Sequence, residues 1–359
     1  MNNDAKNIDA KLARLIHTAE APGILYGSCF DPAAGIYYGG GGDGFVYCLN
    51  VRPEQPLAEK RAAEKKWRHH DNYLAALVWH DGRVISAGYD GRIVWTKPDS
   101  GEKVREITSH EGWIRDLVLI PSRGQVASVG DDMLLKLWDA ASGELVHRCS
   151  SASHAPLTPE GFTSALYAVA ASADGQQLAT ADRCGQVCVW DADTGKAIAQ
   201  FKAESFYTYD AVKRARSIGG IRSLCFLPDG KLVLGGIGQV SNVDGFVGPC
   251  RLEVWNWQDA QRIAVGSDKH QGIFNHLDYL PNEALLIAAG GGDSGPVLAF
   301  WNENLWEKKT EPPLAKAKPK SHIQHFTFDA ETQQLLAAGH NGLQVWSFTP
   351  APATAKAPK

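Results

Sequence analysis

Residues Ser109–Cys149 read SHEGWIRDLVLIPSRGQVASVGDDMLLKLWDAASGELVHRC, and this stretch decides the fold. It predicts four short strands in succession: Trp113–Ile120, Gln125–Val129, Leu134–Trp138 and Glu144–Arg148. The breaks collect Pro, Ser, Gly and Asp, where turn geometry needs them. Apolar residues fill most strand positions instead of strictly alternating, so both faces of this small sheet need cover. A four-stranded sheet of about 40 residues with two faces to bury is one unit of an array rather than a domain.

Within this unit His110, Ser128, Asp132 and Trp138 are the residue types of a hydrogen-bonded relay. An indole N–H only donates, a hydroxyl accepts and passes the bond on, and a neutral imidazole hands it to a carboxylate. A relay that ends on Trp leaves no free nucleophile, which separates it from a Ser-His-Asp catalytic set. The spacing of the four residues, with the dipeptide Trp138-Asp139, resembles a WD40 repeat and its buried tetrad. The resemblance implies a β-propeller.

The same unit recurs along the chain. Trp95, Trp138, Trp190, Trp255, Trp301 and Trp346 stand 43, 52, 65, 46 and 45 residues apart, and Ile24–Val51 repeats the pattern with Leu49 in place of the tryptophan. The last unit ends after a third strand at Phe348, while Leu12–Glu20 resembles a fourth strand. The expectation is therefore an all-β, seven-bladed WD40 β-propeller closed by the N-terminal strand. It forms one domain over 10–349, with disordered tails at 1–9 and 350–359. A second tetrad is expected from His70, Ser86, Asp90 and Trp95. In the fourth unit Thr180 and Trp190 are kept, but Cys184 stands at the Asp position and no His is at the expected distance. The fifth to seventh units keep the Trp with Gly and Ala at the hydroxyl position, and His340 lies at the Asp position of the last; both departures read as drift.

Composition narrows the function classes. A formal net charge of −4 argues against a chain devoted to nucleic acid. Seven cysteines, mostly single and within strands, read as small buried hydrophobes of a reducing compartment. Cys184 and Cys188 lack the second pair that a metal site requires. No cofactor or metal is expected, no run approaches a membrane span, and the expected location is cytoplasmic.

The extra sequence is unevenly placed. Ser151–Ser164, Glu204–Gly219, Gln239–Pro249, Gly291–Gly295 and Thr310–Ser321 all belong to the fourth to seventh units, and by the family's topology all emerge on one face, the top. Arg52–Arg61 departs toward the other face as a charged helix or solvated loop. Loops on a rigid scaffold commonly carry binding. In Glu204–Gly219, Phe206, Tyr207 and Tyr209 accompany Arg214, a mixture enriched at protein interfaces, whereas the Lys-rich Thr310–Ser321 reads as a mobile loop. The resemblance adds the usual top-face columns: Tyr73, Trp113 and His322; Tyr26, Arg115, Arg222, Asn275 and Gln324; and Tyr89 with Asp131 ahead of the tetrad Asp.

These features point to a non-catalytic scaffold that binds a protein or peptide through its top face, as part of a larger complex. The alternative is a propeller enzyme, a lactonase-like hydrolase or a quinone-cofactor type, with a site in the central channel. The inner first-strand positions Gly27, Ala76, Asp116, Tyr167, Ser223, His276 and His325 would line it. A kelch-like ring, suggested by Gly39–Gly42 and Gly290–Gly292, is outweighed by the Trp-Asp dipeptides.

Overall fold

The computed structural model describes residues 8–51, 61–62, 65–212, 216–241, 243 and 248–350. Almost all of them are strand or turn, and the one α-helix among them is the short segment Asn304–Glu307. The third repeat forms the sheet its sequence predicts, Ile114–Ile120, Gln125–Gly130, Leu135–Asp139 and Leu145–Cys149, each bound within one residue of expectation. Antiparallel neighbours are joined by tight turns, and Gly91 and Gly185 take left-handed backbone (φ +75° and +80°) at equivalent turns of the second and fourth repeats. Met133 adopts the same conformation in the third (φ 60°).

Most apolar clusters lie between sheets, and one, with Leu25, Tyr37, Leu49, Leu336 and Val345, lies between the first and last sequence units. Ile85, Ile93 and Trp95 of the second repeat pack with Ile114, Leu117 and Trp138 of the third. Cys149 and Leu135 of the third pack with Leu166, Leu178 and Trp190 of the fourth. This is why the strands read as continuous apolar runs: each sheet has a neighbour on both faces. The innermost strands also meet around the central channel, where Asp116 accepts the Val169 N–H (3.0 Å) and Ser223 accepts the Leu277 N–H (2.9 Å) of the next sheet.

The chain is an all-β propeller, but the expectation of seven separate blades is corrected: six sheets of four or more strands form the ring. The first and last sequence units are fused. A single 18-residue strand, Arg14–Asp31, pairs through Arg14–Glu20 with Gly342–Ser347 of the last unit, and through Leu25–Asp31 with Ile36–Gly41 of the first. The chain never turns between them, so their strands join one seven-stranded sheet. The N-terminal strand thereby covers the edge that the last unit would leave open. Upstream of it, Ile8 is buried and its N–H meets Glu283 Oε2 at 2.7 Å. Of the expected tails, 1–7 and 351–359 lie outside the described residues, as does most of Arg52–Arg61. Arg61–Ala62 pairs in parallel with Ala19–Glu20.

Thr310–Ser321, expected as a loop, is corrected as well. Thr310–Glu311 extends the fifth sheet, and Ala315–Ala317 is the outer strand of the sixth, paired with Leu298–Phe300. Ala315 and Ala317 pack against the core between the sixth and seventh units, while Lys316 between them points to the opposite face of the sheet and pairs with Asp268 (3.0 Å).

The relay of the third repeat is complete. Trp138 Nε1 donates to Ser128 Oγ (2.9 Å), the hydroxyl meets His110 Nε2 (2.7 Å), and His110 Nδ1 meets Asp132 Oδ1 (2.8 Å). Burial lowers the pKa of His110, so the imidazole carries one proton, on the carboxylate side. Burial alone would raise Asp132, but hydrogen bonds from His110 and Lys136 hold it at about 2.

The second relay is only partly as expected. His70 binds Ser86 (2.9 Å) and Asp90 (3.0 Å), but Trp95 Nε1 instead donates to the Ala140 carbonyl of the neighbouring sheet (2.7 Å). Ser86 pairs with Val94 as Ser128 pairs with Lys136, so the counterpart of Trp138 is Thr96, and Trp95 faces the other way. One residue fewer between Asp and Trp reverses the side of the strand.

The fourth repeat holds a relay that its sequence concealed. Trp190 Nε1 donates to Thr180 Oγ1 (2.9 Å), His154 Nε2 meets the same oxygen (2.9 Å), and His154 Nδ1 lies 3.4 Å from Asp182. The expectation of no His is corrected, because the longer loop after Ser151 returns His154 to the site from 26 residues upstream of Thr180. Asp182 occupies the place of Gly88 in the second repeat. There a Cβ would stand 2.6 Å from His70 Nδ1, so the position is already within reach of the imidazole.

In the fifth repeat Leu234, not Gly, faces the Glu253 position, and Glu253 itself accepts the Trp255 indole N–H at 2.9 Å. Fully buried, Glu253 also takes Ser205 Oγ (2.6 Å) and the guanidinium groups of Arg251 and Arg262.

Candidate functional site at the channel mouth

The top-face residues expected from separate repeats form one continuous arc. Tyr26 stacks on Tyr73 (ring centroids 5.7 Å apart), Tyr73 meets Tyr89 (5.6 Å), and Tyr89 stacks on Trp113 at 4.5 Å with the rings 8° from parallel. Each ring comes from the same end of its repeat, at or beside the start of a first strand (Tyr26, Tyr73, Trp113) or in the turn after a second (Tyr89). The ring symmetry of the sheets therefore lines them up.

Arg115 fixes the end of the arc. Its guanidinium lies 4.8 Å from the Trp113 ring centre, 5.2 Å from Tyr89 and 5.4 Å from Tyr167. It donates to both carboxylate oxygens of Asp131 (2.6 and 3.2 Å). A planar guanidinium serves both contacts, stacking on rings by its faces and pairing with the carboxylate by its edge. Asp131 thus positions Arg115. Beyond Tyr167, Arg222 stacks on that ring at 3.9 Å and has no carboxylate partner among the described residues. Tyr73 and Trp113 are each 44 % exposed, while Tyr26, Tyr89, Arg115, Tyr167 and Arg222 line the channel mouth with Asn275 and Gln324. Asn275 donates to the Ile323 carbonyl (2.9 Å), Gln324 reaches His340 (3.4 Å), and His322 lies against the His340 ring.

The hairpin residues are not a uniform binding loop. Tyr207–Asp210 pairs with Arg216–Gly219, but Phe206 is fully buried in the core shared by the fourth and fifth sheets. Its assignment as a partner contact is corrected: the 3₁₀ turn Glu204–Phe206 directs it inward. Tyr207 is half-buried and donates to Glu160 (2.6 Å); Tyr209 is 39 % exposed and meets the Phe162 ring. Arg214 lies outside the described residues.

The insertions of the fourth and fifth repeats brace one another. Val240 N–H meets Thr208 Oγ1 (2.9 Å), and Ile218 packs with Ile237, Val240 and Val243. Arg183, at the turn position equivalent to Tyr89 and Asp131, donates to the carbonyls of Thr163 (2.8 Å) and Ser217 (2.9 Å).

The central channel has a volume of about 1020 Å³. Of its expected lining, His276 and His325 come together with ring centroids 3.9 Å apart, and His325 Nδ1 pairs with Ser28 Oγ (2.7 Å). Burial lowers His325 to about 4 and His276 well below its ordinary value. Asp116 is held by other partners: both its oxygens accept backbone N–H groups, from Leu117 and Val169. Asp278, not singled out from the sequence, also lines the channel, and burial raises it to about 6. Among the described residues no group of three His, Cys, Asp or Glu side chains is arranged to hold a metal ion.

Comparison with known proteins agrees with this architecture. Segments 101–139 and 156–191 match the family model described as WD domain, G-beta repeat. Protein HIR1 of Chaetomium globosum is 21 % identical over 319 residues, covering 78 % of this chain and 28 % of that protein. Apoptotic protease-activating factor 1 of Rattus norvegicus is 23 % identical over 166 residues, 46 % of this chain and 12 % of that protein. Nuclear distribution protein PAC1 of Arthroderma otae is 24 % identical over 246 residues, 64 % of this chain and 46 % of that protein. The chain spans less than half the length of these relatives. Its two matched segments are WD40 repeats.

Proposed function

We propose that the protein is a non-catalytic scaffold that binds a protein or peptide partner through the top mouth of its propeller, as a component of a larger complex. The observation that carries this reading is the arc from Tyr26 to Trp113, an aromatic surface ordered by Arg115 and Asp131 yet open to solvent at Tyr73 and Trp113. Rigid aromatics beside Arg lose little side-chain entropy on binding and supply large apolar contact. Tyr209, exposed on the braced insertions, offers a second contact, while Phe206 and Tyr207 hold the hairpin.

No helix among the described residues is long and apolar enough to cross a membrane. The seven cysteines are free and buried, which suits a reducing compartment, and we place the protein in the cytoplasm on that basis.

The test is affinity capture from the native cell with the wild-type chain and with a Tyr73→Ser/Trp113→Ser variant. Both side chains are surface groups, so melting temperature should stay within about 2 °C. Loss of specific partners from the variant is expected; an unchanged partner set would overturn the assignment of this face.

A further inference from the structure

The proposed top-face reading leaves open the chemistry of the partner, and the cations of the channel mouth bear on it. Arg115 and Arg222 flank Tyr167 on either side, at 5.4 and 3.9 Å from its ring centre. Arg115 is already neutralised by a two-point pairing with Asp131. Arg222 is not: its recorded polar contact is a long one to the Gly219 carbonyl (3.4 Å). Its stacking on Tyr167 holds the guanidinium by its face. The neighbouring groups at this level, Asn275, Gln324 and the Tyr26 and Tyr89 rings, carry no negative charge. The carboxylates of the channel lie with other partners: Asp116 on two backbone N–H groups and Asp278 on the Tyr279 N–H. An otherwise acidic chain thus places a guanidinium without a carboxylate partner among the described residues on the same rim as its exposed aromatic shelf, with Tyr167 and Arg115 between them.

We infer that the channel mouth takes an extended acidic peptide segment of a protein partner, with a carboxylate side chain on Arg222 and an adjacent aromatic or apolar side chain on the Tyr73–Trp113 shelf. A guanidinium already held by its face pays little further ordering cost to receive a carboxylate by its edge. The pairing of Arg115 with Asp131 makes the other end of the site neutral, so the apolar residue and the carboxylate of the ligand have distinct seats. This inference rests on the proposed use of the top face.

The experiment is selection of a random peptide phage library on the immobilised full chain, followed by anisotropy titration of the selected peptides as labelled synthetic probes. Enrichment of Asp or Glu next to an aromatic is expected. Arg222→Gln should weaken those probes at least about tenfold, the loss of a charge-assisted contact, while Arg222→Lys should retain part of the affinity. Trp113→Ala should weaken the same probes. Peptides that require Trp113 but show no acidic enrichment, or an enrichment of Lys and Arg, would overturn the acidic assignment and leave the top-face reading standing. Peptides indifferent to Trp113, Tyr73 and Arg222 would overturn both, as would no enrichment at all. A single-stranded oligonucleotide that binds through Trp113 and Arg222 and displaces the peptides would replace the protein partner with nucleic acid. Melting curves of each variant ensure that lost binding is not lost folding.

Discussion

Two buried threonines, changed identically, should give opposite results. Thr180 and Thr96 are both almost fully buried in strands. Thr180 Oγ1 sits between the indole N–H of Trp190 and the imidazole of His154, at 2.9 Å from each. Thr96 Oγ1 has no hydrogen-bond partner among the described residues. Valine has nearly the same shape, so neither substitution opens a cavity. Thr180→Val strands two buried polar groups, at a cost of about 1–3 kcal/mol each, or about 2–5 kcal/mol together after the hydroxyl's own desolvation is relieved. Thr96→Val removes a buried hydroxyl that bonds to nothing and should be neutral or stabilising by up to about 2 kcal/mol. With an unfolding entropy of about 2.1 cal/mol/K per residue, a ring of this size should lose roughly 3–7 °C in melting temperature for Thr180→Val. Thr96→Val should leave the melting temperature unchanged or raise it. Thermal and urea unfolding followed by tryptophan fluorescence measure both, with the urea midpoints guarding against irreversible heating. Equal losses, or a larger one for Thr96→Val, would refute the assignment of the fourth relay.

Two further outcomes follow from the site. Phe206→Ala should destabilise by about 3–5 kcal/mol through a core cavity, whereas Tyr209→Ser should leave stability within about 0.5 kcal/mol, both read by urea unfolding; equal effects would return Phe206 to the surface. Asp278, raised to about 6 by burial, favours the folded state while protonated, so its contribution is intact below the unfolded value near 4 and is lost as pH rises through 6. Asp278→Asn should therefore match the wild type at pH 4 and exceed it in stability at pH 7.5, where a less stable variant would show that the ionised carboxylate is stabilised in the channel.

The sequence alone determined the repeating unit, and for a local reason. Turn residues, strand length and apolar runs in Ser109–Cys149 are written within some 40 consecutive positions, and the relay His110–Ser128–Asp132–Trp138 follows from their spacing. Closure by Leu12–Glu20 was legible too, because a missing strand at one end matched a spare one at the other. Where spacing changed, sequence failed. One residue fewer before Trp95 turned it to the other face, and a longer loop brought His154 to Thr180 from a distance that spacing could not signal. Phe206 looked like an interface aromatic because composition carries no direction; only the 3₁₀ turn and the packing of two sheets sent it inward. Nor could the chain order show that Arg14–Asp31 runs unbroken between the first and last units, fusing them into one sheet.

The channel mouth divides in the same way. Its residues, Tyr26, Tyr73, Tyr89, Trp113, Arg115 and Arg222, come from a few top-face columns of the repeat and were nameable in advance. That they stack in sequence around the opening, and that Asp131 neutralises Arg115 but leaves Arg222 unpaired among the described residues, was decided by the ring. Sheet follows sheet at a fixed rotation, and that rotation brings into contact side chains that stand tens of residues apart in the chain.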